Sequence, residues 1–247
     1  MRIGKSSNPA LSNNALTRVY NTAESSEKMT INGTVNKMIL SLLMLMVAAY
    51  FSWSYIAAGG SSTLLWVGAI GGFVLALVTI FKSEWSYITA PIYAVLQGLF
   101  LGGISAMFNA MLPGIVFQAI GLTFGIAFFL LIAYRTGIIK ATAKLKRGII
   151  IATGGVAVFY LVSMIGSFFG GGINLGSMGL MGIGIQLVIV VIAALNLILD
   201  FDLIEQAAAQ GAPKVMEWYG AFSIMVTLVW LYLEILKLLA LLAGNRD

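Results

Sequence analysis

The chain has 247 residues, of which 60% are hydrophobic and only 9% are charged, whereas about 25% are charged in a typical soluble domain. It contains no cysteine and no histidine, which excludes disulfides, thiolate chemistry, and the commonest general base and metal ligand. The formal net charge of +5 does not indicate nucleic acid binding, because the basic residues follow membrane topology. These properties predict an integral membrane protein whose proton or metal chemistry depends on nine carboxylates.

The chain divides into a polar segment and an apolar one. Residues 1–37 are predicted to be a polar tail, and they lack the charged-then-apolar layout of a signal peptide. Residues 38–247 are predicted to form one transmembrane domain, because seven apolar runs are each close to the roughly 20 residues that cross a bilayer. The predicted spans are 38–58, 64–81, 89–111, 115–134, 148–169, a sixth within 180–210 and a seventh at 221–243.

The basic residues predict the orientation of the spans. With the N-terminus inside, twelve of the fourteen Lys and Arg side chains lie in inner segments, and the other two are Lys237 and Arg246. Short loops rich in Lys and Arg remain on the cytoplasmic side of a membrane. We therefore expect a cytoplasmic N-terminus and a C-terminus outside.

Small residues recur at a spacing that favours helix packing. In membranes, glycines four residues apart allow two helices to approach closely. Such pairs are Gly68/Gly72, Gly98/Gly102, Gly121/Gly125 and Gly166/Gly170. We predict that they pack helices within the bundle rather than forming a dimer interface.

Acidic residues are concentrated in the last quarter of the chain, at Asp200, Asp202, Glu205, Glu217 and Glu234. Glu234 lies near the middle of the seventh span, where a charge costs roughly 2.5 to 3.5 kcal/mol. A residue of this kind is a candidate functional residue that faces protein or water rather than lipid.

Three interpretations of Glu234 are open. An ion pair with Lys237, one turn later, would ease its burial and do nothing else. A retinal-type protein also has a lysine in its last span, but here the third span has no acidic counter-ion and Lys237 lies near the outer end. The third interpretation is an ion-linked site that Glu234 forms with a carboxylate on a neighbouring helix.

Three longer motifs are more specific than a count of spans. They read APIYAVLQGLFLGGIS at 90–105, LNLILDFDLIE at 195–205 and GAPKVMEWYGAFSIMVTLVWLYLEILKLL at 211–239. These motifs, and nearly the whole chain from Asn8 onward, resemble the Bax inhibitor (transmembrane Bax-inhibitor-motif) family in its bacterial branch. The resemblance implies an all-α protein of the bacterial inner membrane, with seven transmembrane helices of which the last is central and wrapped by the other six.

The resemblance also implies a function, because bacterial members act as pH-sensitive calcium leak channels whose sensor is a pair of aspartates. The matching positions are Asp200 at the end of the sixth helix and Glu234 in the seventh. The two carboxylates would share a proton and hold the path closed, and loss of that proton would separate them by repulsion. They would also bind the permeating calcium transiently, since this hard cation prefers carboxylate oxygens. Asp202, Glu205 and Glu217 would form a negative cytoplasmic vestibule, although a solvated helix end accounts for each of them alone.

Depth in the membrane is the obstacle to this pair. Glu234 lies roughly 13 Å from the outer end of the seventh span, at 1.5 Å per residue, whereas a sixth helix starting at Leu180 places Asp200 about 30 Å from that side. A later helix, from near Ile185 to about Gln210, would let tilt bring the carboxylates together. The helix-favouring residues before the glycine stop support that position, and we predict it.

Other function classes stay open. Some bacterial relatives are linked to a membrane-anchored protease as substrate or modulator, and the tail 1–37 is the segment that such a machine would grip. A proton-coupled transporter of a small solute would use the same carboxylates to carry protons. We expect no enzyme, since no nucleophile–base pair is visible, and no cofactor. The expected partners are the lipid bilayer, calcium and protons, with no nucleic acid.

Overall fold

The computed structural model describes residues 27–245 of the chain. Within that range the protein is all-α, and seven helices are long and apolar enough to cross a membrane, as predicted. The helices are α1 (Ile31–Ala57), α2 (Thr63–Phe81), α3 (Ser86–Met111), α4 (Ile115–Arg135), α5 (Ala143–Phe168), α6 (Leu180–Ala209) and α7 (Met216–Gly244). Short 3₁₀ turns precede α3 and α6, at Ser83–Trp85 and Leu175–Met178. Positions 1–26 of the predicted tail, and its proposed contact with a protease, lie outside the described residues.

Helix α1 begins at Ile31, seven residues before the apolar run that predicted the first span. Thr30 is its N-cap: the backbone is extended there, and the side-chain oxygen accepts a hydrogen bond from the Gly33 N–H at 2.9 Å. A cap of this kind satisfies a backbone donor that has no partner within the helix. The start of α1 is therefore set by the cap rather than by apolarity.

Helix α6 begins at Leu180, so the predicted start near Ile185 is wrong. Gly179, with φ of 55°, links the preceding 3₁₀ turn to the helix, and the first residues of α6 continue without a break. The other end agrees with the prediction. The helix ends at Ala209, and Gly211 follows with φ of 70°, a conformation that stops a helix at little cost for glycine.

Helix α7 is the most buried of the seven, with fourteen buried residues between Glu217 and Leu236. Helices α1, α3, α4 and α6 pack against it. Helix α5 reaches it through the Tyr160 hydroxyl, which donates a hydrogen bond to Glu234. Helix α2 packs against α3 in an outer layer. The predicted central position of the last helix is confirmed.

Two of the four predicted glycine pairs do pack helices together. Gly98 and Gly102 bring α3 against the backbone of α1, and a β-carbon built at Gly102 would lie 2.1 Å from the Ala49 carbonyl oxygen. Helix α2 meets α3 in the same way, since a β-carbon at Gly68 would lie 2.5 Å from the Leu96 carbonyl oxygen. Close backbone contact thus joins α1, α2 and α3.

The other two glycine pairs do not pack helices within the described part of the chain. Gly121 and Gly125 on α4 have open space where a β-carbon would point. Gly166 lies against the backbone of Gly171 in the loop after its own helix, and Gly170 has no neighbour there. For these two pairs the prediction of packing within the bundle is wrong.

Candidate functional site

Asp200 joins α6 to α7. It lies on α6 about 14 Å before the C-terminal end of the helix, at 1.5 Å per residue, and is only 8% exposed. One carboxylate oxygen accepts a hydrogen bond from the Thr227 hydroxyl at 2.6 Å, and the other accepts one from the Ser223 hydroxyl. Ser223 and Thr227 are four residues apart and therefore lie on the same face of α7. The link is one carboxylate between two hydroxyl groups.

No basic side chain within residues 27–245 forms an ion pair with Asp200. The four ion pairs in that range involve other carboxylates, those of Glu27, Asp202, Glu217 and Glu234. A buried carboxylate without a cation carries an uncompensated charge whenever it is ionised. The electrostatic potential at this site therefore depends strongly on one proton or one cation. The carboxylates that have a basic partner are less sensitive to either.

Glu234 has a different environment. It is 2% exposed and lies on α7 about 15 Å before the C-terminal end of the helix. Its Oε2 accepts hydrogen bonds from the Tyr160 hydroxyl at 2.6 Å and the Gln186 amide at 2.7 Å. Its Oε1 accepts from the Trp230 indole and the Lys237 ammonium, both at 3.1 Å. The ion pair with Lys237 is therefore present, within a cluster that joins α5, α6 and α7.

The structure does not bring Asp200 and Glu234 together, so the predicted contact between them is wrong. Glu234 lies seven residues beyond Thr227, about 10 Å further along α7. The α6 residue that reaches Glu234 is Gln186, which precedes Asp200 by about 21 Å along α6. In this arrangement the two carboxylates are too far apart to share a proton or to hold a calcium ion between them. The depth mismatch remains because α6 begins at Leu180.

The sequence prediction missed the residues that do face Asp200, although a signal for them exists. In two antiparallel helices joined by a short loop, residues equally far from the loop lie opposite each other. Asp200 precedes Ala209, the end of α6, by nine residues, and Ser223 and Thr227 follow Met216, the start of α7, by seven and eleven. Two hydroxyl residues at helical spacing in an apolar span mark this face.

Two of the three residues expected to form a vestibule pair with neighbouring helices. Asp202 forms an ion pair with Lys146 of α5 and accepts a hydrogen bond from the Gln206 amide at 2.7 Å. Glu205 accepts a hydrogen bond from the Tyr134 hydroxyl of α4 at 2.6 Å. Both carboxylates lie near the C-terminal end of α6, and each links α6 to another helix.

Glu217 is 2% exposed, so its interpretation as a solvated helix end is wrong. Its carboxylate accepts hydrogen bonds from the backbone N–H and the hydroxyl of Thr30, both at 2.9 Å, and pairs with Lys37. It ties the start of α1 to the start of α7. Next to it, the Glu27 carboxylate accepts a hydrogen bond from Lys214 and holds the pKa of that lysine above its usual range.

The chain matches a protein-family model described as Bax inhibitor 1 like over residues 8–244. The matched segment begins in the polar tail and ends at the last residue of α7, so it covers nearly the whole chain. No significant match to a curated protein is found.

Proposed function

Because this chain belongs to the Bax inhibitor 1 like family, we propose that it is a pH-sensitive calcium leak channel of the bacterial inner membrane, gated at Asp200. The observation that supports the proposal is the buried Asp200 carboxylate, which lies between two transmembrane helices and whose partners within residues 27–245 are two hydroxyl groups. Ionisable residues at membrane depth mark ion pathways and proton relays. With the N-terminus in the cytoplasm, Asp200 lies towards the cytoplasmic side.

Protonation of Asp200 closes the path in this mechanism. A neutral carboxyl group between Ser223 and Thr227 ties α6 to α7 by hydrogen bonds and offers no charge to a cation. When the proton leaves, the site holds a negative charge with no basic partner, which draws in water and a cation. The α6–α7 contact then loosens, and the leak increases as the pH rises.

Calcium suits the oxygen atoms that this gate presents. The Asp200 carboxylate and the hydroxyls of Ser223 and Thr227 are hard oxygen ligands, the kind that calcium prefers. Within residues 27–245, no group of three or more acidic side chains is close enough to hold a metal ion. At the gate, a passing ion meets one carboxylate, that of Asp200, and the hydroxyls of Ser223 and Thr227. Binding of that kind favours entry without trapping the ion, which conduction requires.

Calcium flux into liposomes tests the proposal. The purified protein is reconstituted around a calcium-sensitive dye, and the initial rate of influx is measured between pH 6 and pH 8. The wild-type rate is expected to rise with pH. The Asp200→Asn variant keeps the size of the side chain but does not titrate, so its rate is expected to be independent of pH. At pH 8 it should be at least tenfold slower than wild type, or about 1.4 kcal/mol in the barrier.

Glu84→Gln is the matched control, because Glu84 is an exposed carboxylate in the inner turn between α2 and α3. This variant should keep the wild-type rate and pH dependence. A wild-type rate equal to that of empty liposomes would show that the protein is not a calcium leak. A pH dependence that survives in Asp200→Asn would remove Asp200 as the gate.

A further inference from the structure

Helix α5 has little apolar contact with the rest of the bundle. Only Ile149 and Val156 are buried among its 26 residues, whereas fourteen residues of α7 are buried. Its packing partner is α6, and two apolar crevices of about 570 and 410 Å³ lie along that contact. Apolar packing alone therefore holds this helix weakly.

Polar contacts attach α5 instead. Lys146, Thr153 and Tyr160 are spaced seven residues apart and so lie along one stripe of the helix. The contacts are the Lys146–Asp202 ion pair, the hydrogen bond from Asn196 to Thr153 (2.8 Å) and the hydrogen bond from Tyr160 to Glu234 (2.6 Å). We call these three contacts the polar seam.

The polar seam runs along α5 from Lys146, two residues before the predicted fifth span, to Tyr160 within that span. From Lys146 to Tyr160 the helix rises about 21 Å at 1.5 Å per residue, against a hydrocarbon thickness of about 30 Å. Polar groups at such depth face protein or water rather than lipid. Apolar side chains, by contrast, dominate the contacts of α7 with α1, α3 and α4.

The charges of the polar seam are divided unevenly between the helices. Lys146 belongs to α5, whereas Asp202 and Glu234 belong to α6 and α7. Movement of α5 away from the bundle would remove the cation and leave two carboxylates, with the Asn196 amide between them. Lys237 would remain beside Glu234, but 44% of its side chain is exposed. The exposed face would thus present carboxylate oxygens near each of its two ends, at Asp202 and Glu234.

We propose that calcium crosses the membrane along the polar seam, which opens when α5 moves away from α6 and α7. The inference rests on the proposed leak and adds its route, at the edge of the bundle rather than around the centre of α7. Asn196 precedes Asp200 by one turn on the same face of α6, which connects the route to the gate. Gly137 and Gly170, with φ of 74° and 78°, lie in the segments that flank α5 and allow it to move.

Crosslinking across the seam tests this route, because the chain has no cysteine of its own. The seam pair combines Thr153→Cys with Asn196→Cys and is joined by a short bifunctional methanethiosulfonate. The control pair combines Thr79→Cys with Thr89→Cys, whose native hydroxyls lie 2.7 Å apart between α2 and α3. Crosslinking the seam pair is expected to slow calcium influx at least tenfold, and a reducing agent should restore it. The crosslinked control pair should keep at least half of its rate.

A crosslinked seam pair that leaks as fast as the crosslinked control would overturn the route. The gate at Asp200 would still stand if Asp200→Asn had abolished the pH dependence. If the protein conducts no calcium, the proposed function fails, and labelling then decides whether the seam opens. A single Asn196→Cys should react with a charged methanethiosulfonate at least tenfold faster than a single Thr89→Cys. Equal labelling rates would show that the seam stays closed to water. This measurement also applies if the crosslink does not form.

Discussion

The contact between α1 and α3 and the contact between α5 and α6 are built in opposite ways. Helix α3 presents Gly98 and Gly102 to the backbone of α1, so the two main chains touch. Helix α5 is attached by the polar seam, and crevices remain beside its few apolar contacts. In a membrane, helices associate through close packing and hydrogen bonds, since lipid is as apolar as the side chains. The α1–α3 contact therefore favours a rigid pair of helices. The α5–α6 contact favours a pair that can separate and admit water.

The largest effect is expected from filling the tight contact. Gly102→Val places a branched side chain where a β-carbon alone would lie 2.1 Å from the Ala49 carbonyl oxygen. Backbone cannot rotate away as a side chain does, so we expect a destabilisation of about 3 kcal/mol, the upper end of the range for overpacking. The thermal midpoint of the purified protein in detergent, followed by size-exclusion chromatography, measures it.

Gly154→Val is the matched control on α5, since nothing lies within 4 Å of a β-carbon at that position. Its thermal midpoint should correspond to a change within about 0.5 kcal/mol. If the two variants lose stability equally, the difference between the tight and the loose contact is not real.

A smaller loss of stability is expected from removing the acceptor at the Glu234 end of the polar seam. Glu234→Ala leaves Tyr160, Gln186 and Lys237 without their shared carboxylate. Breaking a buried ion pair costs about 3 to 5 kcal/mol, but the partly exposed Lys237 can turn to water, so we expect about 2 kcal/mol. Thermal unfolding measures the loss.

Glu234→Gln is its control, because the amide oxygen still accepts from Tyr160. It should lose about 1 kcal/mol or less. Equal losses in Glu234→Ala and Glu234→Gln would mean that the charge of Glu234, rather than its hydrogen bonds, holds the cluster together.

The seven helices were predictable from sequence because spanning a bilayer requires long apolar runs, and such runs stand out against polar loops. Their ends were less predictable where a cap decides, as at Thr30 before α1. The start of α6 was misplaced for another reason, because the expected contact between Asp200 and Glu234 moved it from Leu180 to Ile185. Apolarity reports which residues avoid water, whereas helix ends depend on individual hydrogen bonds and backbone angles.

The candidate site was predictable only in part. A carboxylate in an apolar run stands out, and both Asp200 and Glu234 are buried between helices as such residues require. Their separation was not predictable, because a motif match carries no information on how two helices are placed along each other. The relative placement of α6 and α7 can be obtained by counting residues from the loop between them. That count places Ser223 and Thr227 opposite Asp200. The polar seam was missed because Lys146 and Tyr160 have partners far away in the chain.

A moderate effect on the leak is expected from loosening the polar seam at its Tyr160 end. Tyr160→Phe removes the hydroxyl that donates to Glu234 and keeps the aromatic ring. Losing one such bond costs about 1 kcal/mol, so opening should become about fivefold more frequent. Calcium influx at pH 8 is expected to rise by that factor.

Tyr232→Phe is the control for this change, since the Tyr232 hydroxyl lies 2.6 Å from the Ser105 hydroxyl between α7 and α3. It removes a comparable bond from the rigid side and should leave the influx unchanged. A faster leak in both variants would show that the whole bundle, and not α5, limits opening.

The smallest effect separates the two contacts most directly. Thr153→Val removes the bond to Asn196, and Thr79→Val removes the bond to Thr89. A hydrogen bond between membrane helices contributes about 0.6 kcal/mol, and in both variants the remaining partner keeps a bond to its own backbone. The two should therefore lose the same small stability, whereas only Thr153→Val should speed calcium influx, by about threefold. Equal influx would refute a special role for α5, because bonds of similar strength then matter equally wherever they lie.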